Sequence, residues 1–346
     1  MSFDTREVLR ELCLSCGVSG SEEAPGQVAA ALLRQICKRV ECDGYGNVCA
    51  VLSEPAQGRP HLLLEAHIDE IGLVVTQVED GFLRVANCGG VDRRLLLAQQ
   101  VTIHGREDLP GVIISVPPHL ESGAEREKTP ELDKIAVDTG LDRETASRLI
   151  APGDKITFYS EFRTLQNGRV SCKAIDDRSG MTAVLYALEL LKGKELPCGV
   201  SVLFSSQEEL GERGAAIGGY RIKPDTAISV DVSFGHTPDA PEHKCGRLGE
   251  GPMIGVAPSL SREVTDRLIA TAKKEQLPYQ LEIMAGETST DADTIGVQHG
   301  GIRTGLVSIP IRYMHTPIET VELCDIEAVG RLLAAYVLSE GGTASC

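Results

Sequence analysis

Short apolar runs in this chain stop, again and again, beside residues able to bind a metal, and that recurrence limits the folds open to it. His61 to Ala66 (HLLLEA) reads as a buried strand, and His67 and Asp69 follow it. Val200 to Ser205 reads as another, with Glu208 and Glu209 just beyond. Thr226 to Val230 leads into Asp231, and Gly305 to Ile309 is followed shortly by His315. Asp176 and Asp177 stand just before a strong helical stretch, Ser179 to Leu191. Helical periodicity also marks residues 4–16 (through Val8, Leu9 and Leu12), Arg262 to Glu275 and Asp325 to Ser339. Ser19 or Ser21 is placed to cap a second helix running to about Lys38. Strands alternating with helices predict an α/β fold, with a mixed, mostly parallel sheet flanked by helices. In open sheets of this kind ligands bind beyond the carboxyl ends of the strands. The His, Asp and Glu residues are therefore expected to share one site.

Between about Ile71 and Phe162 the texture changes. Ile71–Val78, Phe82–Val85, Gln100–Ile103, Val112–Val116 and Lys155–Phe158 are short β-rich runs. Asp80-Gly81, Pro110-Gly111 and Pro152-Gly153 separate them as turns. The pattern predicts a small β-barrel or sandwich inserted at 71–162 into an α/β domain made of 1–70 and 163–346. Residues 117–131 carry almost no apolar content and read as a mobile loop.

Composition narrows the function. Lys and Arg number 34 against 50 Asp and Glu, a formal charge of −16. Such a chain is ill suited to neutralising phosphates, so neither nucleic acid nor an anionic membrane is expected as a partner. No apolar run reaches the roughly 18–20 residues that span a bilayer, and the N-terminus lacks the apolar core of a signal peptide. Eleven scattered cysteines suit reduced thiols in a cytoplasmic setting better than a disulfide framework. Cys13 and Cys16 form a lone C-x-x-C in a helical stretch, without a second pair at zinc-site spacing.

Read singly, each candidate has an ordinary explanation. His67 is a hydrogen-bonding group, Asp176-Asp177 a helix N-cap, Glu208-Glu209 a solvated face and Asp231 a turn residue. Together they offer imidazole and carboxylate, donors that suit Zn²⁺, Co²⁺ or Mn²⁺. Five ligands exceed what one catalytic zinc takes. With one carboxylate shared they suit two ions about 3.5–4 Å apart.

Six segments sharpen this reading. They are Ala66-His67-Ile68-Asp69-Glu70-Ile71-Gly72, Lys173 to Gly180 (KAIDDRSG), Gln207-Glu208-Glu209 with Gly211, Val230-Asp231, Thr290-Asp291-Ala292, and Ile311 to Pro317 (IRYMHTP). In this order they resemble the dinuclear metallo-aminopeptidases called TET aminopeptidases, family forty-two of the metallopeptidases, which includes glutamyl and deblocking enzymes. The resemblance runs from the N-terminal helix to Leu323. It includes Gly89-Gly90-x-Asp92-x-Arg94 and Gly111-Val112-Ile113 in the insert.

The resemblance implies a zinc-exopeptidase-like fold and a metal-dependent aminopeptidase acting on peptides. It implies that His67, Asp231 and a bridging Asp176 hold one ion, and that Asp176, Glu209 and His315 hold the other. Zinc is the first choice of metal, with cobalt or manganese as alternatives. Glu208 would be the general base, and Asp69 would orient His67. The Asp176–Asp177 peptide would be cis. The insert would help build dimers and a tetrahedral dodecamer. Val91, Glu287, Ser289 and the Gly235-His236-Thr237-Pro238 run depart from the family pattern near the expected substrate pocket, which touches specificity rather than reaction class. His236 reads as a loop residue. An enzyme selective for acidic residues would need a cation in its pocket, for which Arg94, Arg247, Arg262 and Arg303 are candidates. The competing functions are a deacylase or carboxypeptidase of the same clan, a glycoside hydrolase and a non-catalytic relic. Aromatics at 4% and the absence of Trp argue against a glucan cleft. The presence of all five ligands and of Glu208 argues against a relic.

Overall fold

A computed structural model describes residues 3–120, 123 and 128–340. The chain opens with helices α1 (Thr5–Leu14) and α2 (Glu23–Arg34), then strands β1 (Arg39–Cys42), β2 (Val48–Ser53) and β3 (His61–His67). Next come β4 (Gly72–Glu79), β5 (Phe82–Cys88), β6 (Gln100–His104), β7 (Asp108–Ser115), β8 (Ile135–Asp138), the short helix α3 (Arg143–Leu149) and β9 (Lys155–Phe158). After β10 (Arg163–Thr164) and β11 (Arg169–Cys172) the order is α4 (Ile175–Leu191), β12 (Gly199–Ser205), α5 (Arg213–Ile222), β13 (Thr226–Phe234), β14 (Met253–Val256), α6 (Arg262–Lys274), β15 (Gln280–Ile283), α7 (Asp291–Gly296), β16 (Arg303–Ile311), β17 (Glu319–Glu322) and α8 (Leu323–Ser339).

Eight strands form one mixed sheet in the order β1-β2-β12-β3-β13-β16-β14-β15. Its centre is parallel: β3 lies between β12 and β13, and β13 pairs with β16. Every residue of β3 is buried, which explains an apolar run without alternation. Successive side chains still point to opposite faces. Leu62, Leu64 and Ala66 join Val202, Phe204, Ile228 and Val230 in a core with Val184 and Leu188 of α4 and Leu332 and Leu333 of α8. Leu63 joins Leu203 and Ala227 on the other face, with Ala215 of α5 and Ile295 of α7. Each such Leu contributes about 1.5–3 kcal/mol by leaving water.

The inserted strands close a barrel in the order β4-β5-β8-β7-β6-β9. Its interior is filled by Leu73, Val75, Leu83, Val101, Ile103, Ile113, Val137 and Ile156. The Asp80-Gly81 turn joins β4 to β5 with both residues at positive φ, 50° and 90°, the mirror-image turn whose twist suits a two-residue hairpin. A small antiparallel sheet, β10-β11-β17, completes the fold.

Several expectations are corrected. Asp231 lies inside β13 rather than after it, because that strand stays paired with β16 as far as Phe234. The second helix is shorter, Glu23–Arg34, and neither Ser19 nor Ser21 caps it, because the Ser19 hydroxyl donates to Asp69 instead. Strand β8 was not anticipated, nor were the edge strands β1 and β15 or β14 next to the latter. Of the expected loop at 117–131, residues 121, 122 and 124–127 lie outside the described residues. No helix among the described residues is long and apolar enough to cross a membrane. All ten described cysteines are free.

Candidate metal centre

His67, Asp176, Glu208, Glu209, Asp231 and His315 line one cleft of about 560 Å³, together with Val232, Ser233, Phe234, Glu282, Met284 and Met314. The strands deliver them in different ways. His67 is the last residue of β3. The chain just beyond it is tied to the end of β12 by a bond from the Ile68 amide to the Ser205 carbonyl, 2.7 Å. Glu208 and Glu209 follow β12 in a single 3₁₀ turn. His315 sits in the connection from β16 to β17. Asp176 and Asp177 open α4 in non-helical conformations, and the peptide between them is cis. The Gly180 amide donates to Asp177 Oδ1 at 3.0 Å, so Asp177 caps the regular part of the helix.

Asp176 is placed between the two histidines. Its Oδ1 is 3.0 Å from His67 Nε2 and its Oδ2 is 3.3 Å from His315 Nε2. His315 Nε2 is also 3.2 Å from Glu209 Oε1, and His67 Nε2 is 4.0 Å from Asp231 Oδ1. The ligand-type atoms of His67, Asp177 and Asp231 lie within 4.8 Å of one another, as do those of Asp176, Glu209 and His315. The sequence reading gave Asp177 no ligand role, and the paired aspartates were its only signal.

The outward nitrogens of both imidazoles face carbonyl oxygens. His67 Nδ1 is 3.2 Å from the Asp69 carbonyl and His315 Nδ1 is 2.8 Å from the Gly90 carbonyl. A carbonyl only accepts, so each Nδ1 carries the proton and each Nε2 presents its lone pair to carboxylate oxygens. Two lone pairs so opposed require a cation between them, either a proton or a metal ion.

Electrostatics point the same way. Burial disfavours a charged His67, yet hydrogen bonds to Asp176 and Asp69 outweigh it and hold the imidazole well above its usual range. His315 is half-buried; burial would lower it, but hydrogen bonds to Asp176 and Glu209 push it up to about 11. Burial would raise Asp176, but the two histidines pull it well below the usual carboxylate range. Burial pushes Asp231 and Asp177 well up, reinforced by Asp176 for the first and Asp231 for the second. Glu208 is pushed up to about 10 by burial, with Asp231, Asp291 and Glu209 adding like charge. Two imidazoles cannot neutralise five carboxylates, so the donor set fits divalent cations.

Asp69 does more than face His67, whose Nδ1 lies 3.4 Å from its Oδ1. Its carboxylate also accepts from the Ser19 hydroxyl at 2.6 Å and from the Glu208 and Glu209 amides at 2.9 and 3.2 Å. Glu319 is a residue the sequence did not reveal. It accepts from the Asp176 amide at 3.0 Å and the His315 amide at 2.8 Å, and so fixes both backbones. Beneath the site the Ser205 hydroxyl lies between Glu65 and Asp291. Asp291 belongs to a segment recognised in the sequence, whereas nothing there marked Glu65. His236 and the four candidate arginines do not line the cleft.

Residues 46–332 match the sequence profile of the M42 glutamyl aminopeptidases. A protein of Acetivibrio thermocellus is 36% identical over 342 residues, 96% of this chain and 98% of its own length. An aminopeptidase from the archaeon Desulfurococcus kamchatkensis superposes with a TM-score of 0.90 at 34% identity, over 97% of this chain and 94% of that one. The TET1 peptidase of Pyrococcus horikoshii, which can assemble into a tetrahedron or a large octahedral shell, superposes at 0.86 with 30% identity, over 97% and 99%. With that match across most of its length, the chain is a peptide hydrolase belonging to the M42 glutamyl aminopeptidase family.

Proposed function

We propose that this protein is a metal-dependent aminopeptidase that releases N-terminal residues from peptides. One observation carries the reading: the two oxygens of Asp176 are each turned to a different histidine, and each histidine stands beside a further carboxylate. His67, Asp231 and Asp176 would hold one divalent ion, with Asp177 alongside, and Asp176, Glu209 and His315 the other. Zinc suits these donors, and cobalt and manganese accept the same set. When bound, such ions polarise a carbonyl and lower the pKa of water towards about 7.

The chain's own residues supply the rest. Glu208, half-buried in the lining of the cleft, takes the proton from the attacking water and later gives it to the departing amine. Its backbone is held by Asp69, and the same carboxylate stands beside His67, so base and ligand are set by one group. The acidic cleft receives the free N-terminal ammonium of the substrate, which selects for removal from that end. A glycan reading lacks support, since Phe234 is the one Phe, Tyr or Trp lining the cleft among the described residues. We assign self-association to the barrel strands of residues 71–162 and a dodecameric assembly to the whole. We assign it to the reducing cytoplasm, a setting that suits the free thiols of its described cysteines.

The test is hydrolysis of aminoacyl-anilides and free-N-terminus peptides by metal-stripped protein, then with zinc, cobalt or manganese restored. Activity should return with metal, and acetyl-capped peptides should stay intact. Glu208→Gln should keep both ions and lose about 10²–10⁴-fold in turnover. Cleavage that survives metal removal, or full turnover by a metallated Glu208→Gln protein, would overturn the reading.

A further inference from the structure

Strand β15 is built inside out. Leu281 and Ile283 are 49% and 69% exposed, while Glu282 between them points inward. An acidic group at the inward position of a strand costs desolvation and gives the core nothing, so it signals function rather than folding.

Glu282 reaches across to the strands that carry the site. Its Oε1 accepts from the Ser233 hydroxyl and its Oε2 from the Ser308 hydroxyl at 2.7 Å. Ser308 stands directly opposite Asp231 in the β13–β16 pairing, and Ser233 is two residues further along β13 on the same face. The carboxyl of Glu282 therefore lies one side-chain step from Asp231, in the same cleft.

The two hydroxyls orient the carboxyl but bring no positive charge. No Lys or Arg is among the described residues lining the cleft, and Glu287 adds a further carboxylate to that lining. Val232, Phe234, Met284 and Met314 give the cleft its apolar lining. A fixed carboxyl in a cleft with apolar lining is the complement of a methylene stem bearing a cation. An N-terminal glutamate would instead set like charge against Glu282.

We infer that Glu282 makes this cleft selective for peptides whose N-terminal residue is lysine or arginine. The inference rests on the aminopeptidase reading and names the substrate class of the same site. It gives Glu282 a specificity role, separate from the groups assigned to the ions and to proton transfer.

The experiment compares lysyl-, arginyl-, norleucyl- and glutamyl-anilides on the zinc-loaded wild type and on Glu282→Gln. Norleucine keeps a four-carbon chain without the charge, so the lysine-to-norleucine ratio reports the carboxyl alone. In the wild type, kcat/KM for lysine and arginine should exceed that for norleucine by about tenfold or more, the ratio that one charge-assisted contact supports. Glutamate should be the poorest. In Glu282→Gln the lysine-to-norleucine ratio should fall towards one, while norleucine turnover stays within about threefold and shows that the variant is folded. A wild type that prefers norleucine or glutamate overturns the inference without any variant, and so does an unchanged ratio in Glu282→Gln. Failure to cleave any anilide, with both ions bound, would overturn the aminopeptidase reading itself and this inference with it.

Discussion

Glu22 shows how far the support of the site extends beyond the metal-binding set. It is buried, and a single oxygen, Oε1, accepts from the Gly20 amide at 2.7 Å and the Gln207 amide at 3.1 Å. Gln207 is in the left-handed region, at φ 55°, and leads directly into Glu208. Burial, with the charge of Asp69 adding to it, pushes the Glu22 carboxyl up to about 7. The folded state therefore holds this proton more tightly than the unfolded chain, where the carboxyl titrates near 4.5. Its contribution to stability is complete below about pH 4.5 and is lost as pH rises through about 7. Glu22→Gln keeps an acceptor oxygen for both amides and removes the ionisation. Its unfolding midpoint should match wild type near pH 4.5, rise relative to it between pH 4.5 and 7, and hold a constant advantage above that. Thermal melts across this range at fixed metal content measure the difference, and a difference independent of pH would refute the assignment. The sequence could mark His67, Asp176, Glu208, Glu209, Asp231 and His315 because each lies beside a run with its own strand or helix pattern. Glu22, Glu319 and Glu282 gave no such signal, since their roles come from partners far away in sequence.

At the scale of elements, the barrel and the sheet meet at His315. Gly89 and Gly90 follow β5 and carry the barrel's chain into the cleft. A Cβ on Gly90 would lie 2.6 Å from His315 Nδ1 and 2.8 Å from its Cε1, closer than real contacts allow. The same residue's carbonyl takes the His315 Nδ1 proton, so close approach and ring orientation share one cause. Gly90→Ala should push the ring off its partners. Metal affinity and kcat/KM should fall by about 10–100-fold, the usual cost of disturbing a ligand's support, while the unfolding midpoint changes little. Elemental analysis and anilide kinetics read this directly, and unchanged metal content with unchanged kinetics would show that the contact is not needed. The paired glycines were visible in the sequence, but the reason for them was not, because His315 is far away along the chain. The central strands were legible for the opposite reason: β3 and β12 are buried from end to end, and continuous apolar runs announce them. Strands β1 and β15 are sheet edges whose residues alternate or face water, and β8 has four residues, too few for a period to show. Strand β13 reads as ending at Val230 because Asp231 taken alone is a turn residue, although its backbone remains paired with β16.

At the scale of the whole molecule, apolar surface remains on the outside of the barrel. Phe82, Val112 and Val116 are 40%, 42% and 48% exposed. Val112 borders a groove with Leu109, Pro110 and Tyr159, and Phe82 and Val116 border another with Ile114. The formal charge of −16 works against association, so a stable contact between copies requires local apolar burial of this kind to offset it. The barrel offers that burial and stands apart from the residues assigned to the ions, apart from the loop at Gly90. Sedimentation of the wild type should therefore give a particle several times the 37.0 kDa of one chain. Phe82→Glu combined with Val112→Glu would place two carboxylates in the surface proposed for contact between copies. Each would cost several kcal/mol if it stayed buried and unpaired, so the assembly should separate into smaller particles. Hydrolysis of small anilides should stay within about threefold of wild type, because the variant leaves the cleft intact. A wild type sedimenting as one chain would remove self-association from the proposal. An assembly unchanged by both carboxylates would move the interface elsewhere, towards Ile283 and Val297, which are 69% and 74% exposed. Ile283 is the neighbour of Glu282, so an interface there would tie assembly to the wall of the cleft, and dissociation would then change substrate preference as well as size.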